Sequence, residues 1–598
     1  MAGVDRNVLG EPVSRARWRE MVRAAKNRAE LVAAGLSRRD LLKSSLLTTG
    51  GYLVAKHGLS ARWGSILPSA QAASPPVEPF VEPLPILPIK RPVVGLNPAP
   101  ALVPNLAAGE ARTRPHQGWF DFPPAELYQV SQRAAQVSLS RSLPPQTMWG
   151  FDGSVPGPTY VARYGTPILV RNVNELPFDN GGFGIPSVST HLHNGHTPSE
   201  SDGFPCDFFD SGRWYDQHYP NVLAGILSTH PGTGDINEAL STLWYHDHRI
   251  DFTAQNTYKG LFGFYLLFND LDTGDEERGF RLPGFPDFDI PMAFSDKVFD
   301  PLDGVLTFDL FSLDGILGDT FTVNGKIQPF LEVHPRRYRL RWLNVGPSRF
   351  YELFLTDRAN PTAPHAFWQI SSDGNLLPQP IQVQSVRLGV AERADVIIDF
   401  RPFAGKSIYI ENRLLQNDGR GPTGTILQPG QGHSLVRIDV VLPGVADQSR
   451  DPATIRSFYQ LPETIQTPAV SRTFRFNRTN GQWAINGRFM DCHGVRFTVA
   501  QNSVERWTLV GSNGWQHPMH AHLEEHQILS RNGQPPPAAE RARKDVTRLQ
   551  SNEQVEIALR CRDWVGRYAL HCHNFVHEDH AMMCRWDVEP RGDTNATP

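Results

Sequence analysis

Short runs of apolar and β-branched residues, each cut off by Gly, Pro, Asn or Asp, recur from about residue 115 towards the C-terminus. They predict many short strands joined by turns. Three of these runs share a form. "TPILVRNVNELP" (166–177), "RYRLRWLNVGPSRF" (337–350) and "VERWTLVGSNGWQHP" (504–518) each read as a strand ending in an Asn- or Gly-containing turn. A second set reads as the strand on which each copy closes: "GLFGFYLLF" (260–268), "ERADVIIDF" (392–400) and "GRYALHCH" (566–573) with its continuation to "CRWDV". Copies about 170 residues apart predict three β-sandwich domains in an all-β chain.

Composition agrees with that reading. A chain of 598 residues exceeds what a single core holds, about 250–300 residues. Fifty Gly and fifty Pro suit a turn-rich β protein. The net charge of −4, with signs mixed along the chain, leaves no basic footprint for a nucleic-acid partner.

Residues 1–72 read as an address. Ser37-Arg38-Arg39-Asp40-Leu41-Leu42-Lys43 is a twin-arginine pattern ahead of a short apolar stretch, and "SAQAAS" offers cleavage after Ala70-x-Ala72. The pattern resembles a bacterial Tat signal, so the expected location is periplasmic, cell-surface or extracellular. The apolar stretch is too short for a comfortable membrane span. An amphipathic helix over 16–35 followed by a core segment is the alternative. Residues 73–114 are Pro-rich, and are expected to be extended, either along the folded body or as a linker.

The chemistry concentrates in four histidine clusters. "STHLHNGH" carries His191 and His193, "TLWYHDHR" carries His246 and His248, and "GWQHPMHAHLEEH" carries His517, His520 and His522. "YALHCHNFVHEDHAMMCRW" adds His571, Cys572, His573, His577 and Met582. On a strand, alternate side chains share a face, so His571 and His573 point one way and Cys572 the other. Thiolate, imidazole and a weak axial thioether are the ligands of an electron-transfer copper site. A zinc site would want three or four ligands, not four clusters at opposite ends of the chain. A lone Cys beside His is commonly a packed core thiol, and paired Met residues commonly fill core gaps. The ordered set argues against that for Cys572, whereas Met583 reads as packing. His196, His526 and His580 read as orienting partners of ligands or as ordinary hydrogen-bonded side chains.

Taken together, these motifs resemble the three-domain multicopper oxidases of the bacterial laccase branch, near spore-coat laccase, bilirubin oxidase and phenoxazinone synthase. The resemblance covers roughly residues 115 to 590. It implies three cupredoxin-like Greek-key β-sandwich domains. The expected division is cupredoxin domain 1 at 115–285, a copper-free domain 2 at 286–445 and domain 3 at 446–598. It implies four coppers: a type 1 copper on His517, Cys572, His577 and axially Met582, and a type 2 copper on His191 and His520. The paired type 3 coppers would then take His193, His246, His248, His522, His571 and His573. Domain 1 has Asp247 in the place of Cys572, so it can feed the trinuclear cluster but not a type 1 site. Asp202 and Glu578 match positions that supply protons in the spore-coat laccase type. A covalent Trp515–His517 link, as in bilirubin oxidase, competes with simple packing of Trp515 over the type 1 site.

The activity so implied is one-electron oxidation of phenols or arylamines with O2 reduced to two waters, by an expected monomer with no nucleic-acid partner. The alternatives are oxidation of Mn(II), Cu(I) or bilirubin, or a copper-free assembly protein, against which the complete motifs argue. Specialists for Cu(I) usually carry a Met-rich insert, and the eight Met here form no such cluster. Of the five cysteines, Cys206, Cys492, Cys561 and Cys584 remain for up to two disulfides, with pairing left open.

Overall fold

The structure is a computed structural model that describes residues 73–228, 232–310, 312–460, 468–512 and 514–591. The twin-arginine segment and its proposed cleavage site lie outside the described residues. The described chain is almost entirely β, built as three pairs of sheets. Their strands fall within Glu126–Phe268, Asp289–Asp439 and Val470–Glu589.

The same pairing recurs in each third. Glu126–Val137 runs antiparallel to Gln146–Phe151 and parallel to Ile168–Asn174. Asp289–Phe299 does the same with Thr320–Val323 and Arg337–Asn344. Val470–Thr479 repeats it with Gln482–Ile485 and Val504–Gly511. The three strands paired in parallel are those singled out from their turns. Mixing one parallel and one antiparallel neighbour requires the chain to leave the sheet and return, which gives the Greek-key path of cupredoxin-like sandwiches.

The second set of repeats does not align as expected. Arg393–Asp399 lies beside Arg337–Asn344 in the first sheet of its pair, whereas Gly566–Cys572 lies in the second sheet beside His517–Ala521. The middle counterpart of Gly566–Cys572 is Ser407–Asn412, which pairs with Tyr351–Thr356 and His433–Asp439. In the first third the counterpart is Thr242–Asp247, between Thr190–His193 and Phe262–Phe268. Strands buried on both sides read alike whichever sheet they join, and that similarity produced the misalignment.

Each pair of sheets closes on its own core. In the first third Tyr128, Val130 and Ile168 meet Tyr160, Leu243 and Tyr245, and comparable clusters fill the middle and last thirds. A further cluster joins all three, with Trp244 and Phe264, Leu343 and Val390, and Val546 and Phe575 packed together. Buried arginines strengthen this junction. Arg339 reaches Asp272 and Asp395, while Arg341 bonds Asp289 and the Thr242 hydroxyl at the start of a histidine-bearing strand. The Pro-rich segment runs along the body, with bridges from Pro83 to Phe330, Ile89 to Thr159 and Val93 to Leu127. One disulfide, Cys206–Cys492, ties the first third to the last, and Cys561 and Cys584 are buried thiols. Among the described residues no helix is long and apolar enough to cross a membrane.

Candidate metal centres

The histidine strands of the outer thirds are paired in matching register. His191 sits opposite His246, and His520 sits opposite His571. Each pair brings two imidazoles to the edge of a sandwich, and the two edges face one another. Eight buried imidazoles meet there: His191, His193, His246, His248, His520, His522, His571 and His573.

Their nitrogens converge. Nε2 of His248 and Nε2 of His571 each lie 3.2 Å from Nε2 of His522. His573 Nε2 lies 3.2 Å from His193 Nδ1, with His246 completing that group. His191, His193 and His520 form a third group. The far nitrogens of four rings are occupied by protein acceptors. Nδ1 of His191 donates to the Asp202 carbonyl at 2.5 Å and that of His246 to the Asp247 carbonyl at 2.8 Å. Nδ1 of His520 donates to the Asp545 carbonyl at 2.9 Å and that of His522 to Asp202 Oδ2 at 2.6 Å. A ring that donates from Nδ1 is left with a lone pair at Nε2. The inward Nε2 atoms of His191, His246 and His520 accordingly have no protein partner. Lone pairs crowded together in a buried space repel one another, and bound cations turn that repulsion into ligation.

Burial sets the protonation state required. Desolvation, reinforced by the other imidazoles, holds His191, His520 and His522 well below the ordinary histidine range and brings His246 down to about 3. Neutral imidazole is the form that ligates. Two carboxylates border the nest with opposite tendencies. Burial lifts Asp202 well above the usual range, with a Thr197 hydroxyl bond opposing it. Burial also acts to raise Glu578, but the His571 and His248 rings outweigh it and hold the carboxyl well below the usual range. Glu578 Oε1 lies 2.8 Å from His248 Nδ1, and Oε2 lies 3.2 Å from His571 Nδ1.

The other face of the same strand carries a second centre. Cys572 Sγ lies 3.5 Å from His517 Nδ1 and 3.6 Å from His577 Nδ1, and those two nitrogens are 3.1 Å apart. His577 Nε2 donates to the Asp314 carbonyl at 3.0 Å, so its Nδ1 lone pair faces the sulfur. Burial pushes the Cys572 thiol well above its usual range, so a bound cation is what would draw the proton off. Met582 lies in the same core cluster as Cys572, while Met583 packs in a different one with Phe204 and Ala569. Trp515 stands edge-on to Trp483 at 5.3 Å, and Trp483 in turn lies 3.9 Å from the His577 ring.

The remaining histidines from the motifs have other partners. His196 bonds Asp563 at 2.7 Å, His526 bonds the Thr547 hydroxyl at 2.7 Å, and His580 bonds the Val576 carbonyl at 2.5 Å. Asp545, which bonds both His193 and His520, escaped the sequence reading. "RKDVTRL" carries no motif that would have singled it out.

A buried thiol set against two imidazoles, on the opposite face of one strand from a nest of eight more, fits an oxidoreductase of cupredoxin-like fold with transition-metal centres. Comparison with known proteins agrees. The multicopper oxidase family profile matches residues 463–592. The chain is 32% identical to bilirubin oxidase of Albifimbria verrucaria, over 89% of this chain and 86% of that one. It is 30% identical to a laccase of Bacillus subtilis, over 77% and 94% respectively. Among solved structures, a laccase from Pediococcus acidilactici aligns with a TM-score of 0.65 at 22% identity, covering 86% of this chain and 96% of that one. McoA multicopper oxidase from Aquifex aeolicus aligns with the same TM-score at 23% identity, over 78% and 97%. The chain belongs to the multicopper oxidase family. It is a laccase-like, copper-dependent oxidoreductase that uses O2 and a reducing substrate.

Proposed function

We propose that the chain holds four coppers and oxidises phenols or arylamines. His517, Cys572, His577 and axially Met582 hold one, and His191 with His520 hold a second. His193, His246, His248, His522, His571 and His573 hold a pair. The observation that carries this reading is a covalent adjacency. Cys572 belongs to the thiol–imidazole triangle, while its chain neighbours His571 and His573 reach into the nest.

Copper in these places would supply one-electron oxidation of the donor at the thiolate and reduction of O2 to two waters among the imidazoles. The protein's own residues do the rest. The shared strand joins the two centres by the shortest backbone path a strand offers between its faces. Asp202 accepts from His522 Nδ1 through Oδ2 and stands at the rim of the nest, placed to pass a proton inward. Glu578, with a carboxylate oxygen beside Nδ1 of each of His248 and His571, is placed to relay protons to the nest. Glu578→Gln and Asp202→Asn should each stay blue and still be reduced by donor under nitrogen. With oxygen admitted, turnover should fall about 100-fold, as when a general acid is lost. A Glu578→Gln protein that keeps the parent rate would remove that residue from proton supply.

The laccases among its relatives support an aromatic donor, and oxygen uptake tests it. Phenols or arylamines should outpace Mn(II), Cu(I) and bilirubin, and a preference for either metal ion would replace this reading. The twin-arginine segment is proposed to export the folded protein. Lysines in place of Arg38 and Arg39 should then retain it in the cytoplasm.

A further inference from the structure

The middle third supplies none of the proposed ligands, yet one of its arginines reaches the nest. Arg393 grips Asp545 with both arms of its guanidinium, Nη1 to Oδ1 at 2.8 Å and Nη2 to Oδ2 at 2.6 Å. Asp545 Oδ1 also accepts from His193 Nε2 at 2.9 Å, and the Asp545 carbonyl accepts from His520 Nδ1 at 2.9 Å. Arg393 is itself braced, since Nε donates to the Thr242 carbonyl and Nη1 to the Ala391 carbonyl, both at 3.1 Å. Asp373 ties the two backbones together, accepting from the Arg393 N–H and the Asp545 N–H at 3.2 Å each. Both side chains of the pair are fully buried.

The consequence is a histidine turned the other way round. His191, His246, His520 and His522 spend Nδ1 on the protein and present Nε2. His193 spends Nε2 on Asp545 and presents Nδ1, the atom 3.2 Å from His573 Nε2. A carboxylate left free could rotate and let the ring flip. The planar guanidinium fork matches only one carboxylate orientation, which a lysine cannot enforce.

We infer that Arg393 and Asp545 form a positioning clamp that locks His193 in the tautomer presenting Nδ1 to the trinuclear copper site. The inference rests on the copper reading above. It gives the middle third a part in holding metal although it lends no ligand. Groups that orient metal-binding histidines typically account for about 10–100-fold in metal affinity.

The test compares copper-loaded parent, Arg393→Lys and Asp545→Asn during titration with a copper chelator. Blue absorption reports the Cys572 centre, copper analysis of the chelator fraction reports total non-blue copper, and electron paramagnetic resonance reports the lone non-blue ion beside the pair. Melting of the copper-free proteins is followed in parallel. In both variants non-blue copper should leave at chelator concentrations about 10–100-fold lower than in the parent, with an altered non-blue resonance. The blue centre should persist as in the parent. Asp545→Asn keeps a carbonyl acceptor for His193 but sets an amide against the guanidinium, so it carries the test if Arg393→Lys does not fold. Parent-like release and resonance in the variants would overturn the clamp. Equal loss of blue and non-blue copper with a large fall in apo-protein melting would also overturn it, by making the pair a general support. A parent that takes up no copper would overturn the copper reading first, and the clamp with it.

Discussion

His246-Asp247-His248 and His571-Cys572-His573 stand on matching strands in matching register, yet the residue between the histidines has opposite surroundings in the two. Asp247 is satisfied entirely by protein. Its carboxylate accepts from the Ser189 N–H at 2.8 Å, Asn256 Nδ2 at 2.9 Å and the Arg249 N–H at 3.3 Å. Cys572 receives one long N–H contact from Asn574, at 3.4 Å, and faces the Nδ1 atoms of two imidazoles. The repeated sandwich offers the same position twice. In the first third it anchors the strand, and in the last it is shaped for a metal. A thiol–imidazole site is therefore built in only one of the two outer thirds, although both line the nest.

The comparison is most sharply broken at Cys572. Cys572→Ser preserves size, so the apo-protein should melt close to the parent, while blue colour and turnover with every donor are lost. Retained turnover, measured as oxygen uptake, would remove the thiolate from the reaction. The reciprocal change should act on stability instead. Asp247→Ala strands the buried Ser189 and Arg249 N–H groups at about 1–3 kcal/mol each, so denaturant unfolding should show a loss on the order of 2 kcal/mol or more, with the blue band kept in the protein that folds. A loss below 1 kcal/mol would mean that Asp247 is not an anchor.

Smaller effects separate the neighbouring methionines. A weak axial thioether tunes the reduction potential. Met582→Leu should keep fold and colour and raise the potential of the blue centre, whereas Met583→Leu, packed in the other cluster, should leave it alone. A redox titration showing the reverse would exchange their roles.

Much of this was legible in the chain because ligand chemistry is local. His571, Cys572 and His573 announce two faces by alternation alone, and the turns after 166–177, 337–350 and 504–518 mark the repeats. What pairs distant segments was not legible. "ERADVIIDF" reads like a closing strand but lies in the opposite sheet, since doubly buried strands have no polar face to betray their side. Arg393 and Asp545 are 152 residues apart and meet only through the docking of two domains. The Cys206–Cys492 bridge, spanning 286 residues, could not be chosen among the possible pairings by spacing.

The most direct test of the central claim is a copper count on Cys572→Ser, with electron paramagnetic resonance of the same sample. The account predicts a parent with four coppers and a variant short of one, without its blue signal but with the non-blue signal of the imidazole nest unchanged. A variant that loses all its copper, or one that keeps the full complement and stays blue, would contradict the division of one strand between two centres.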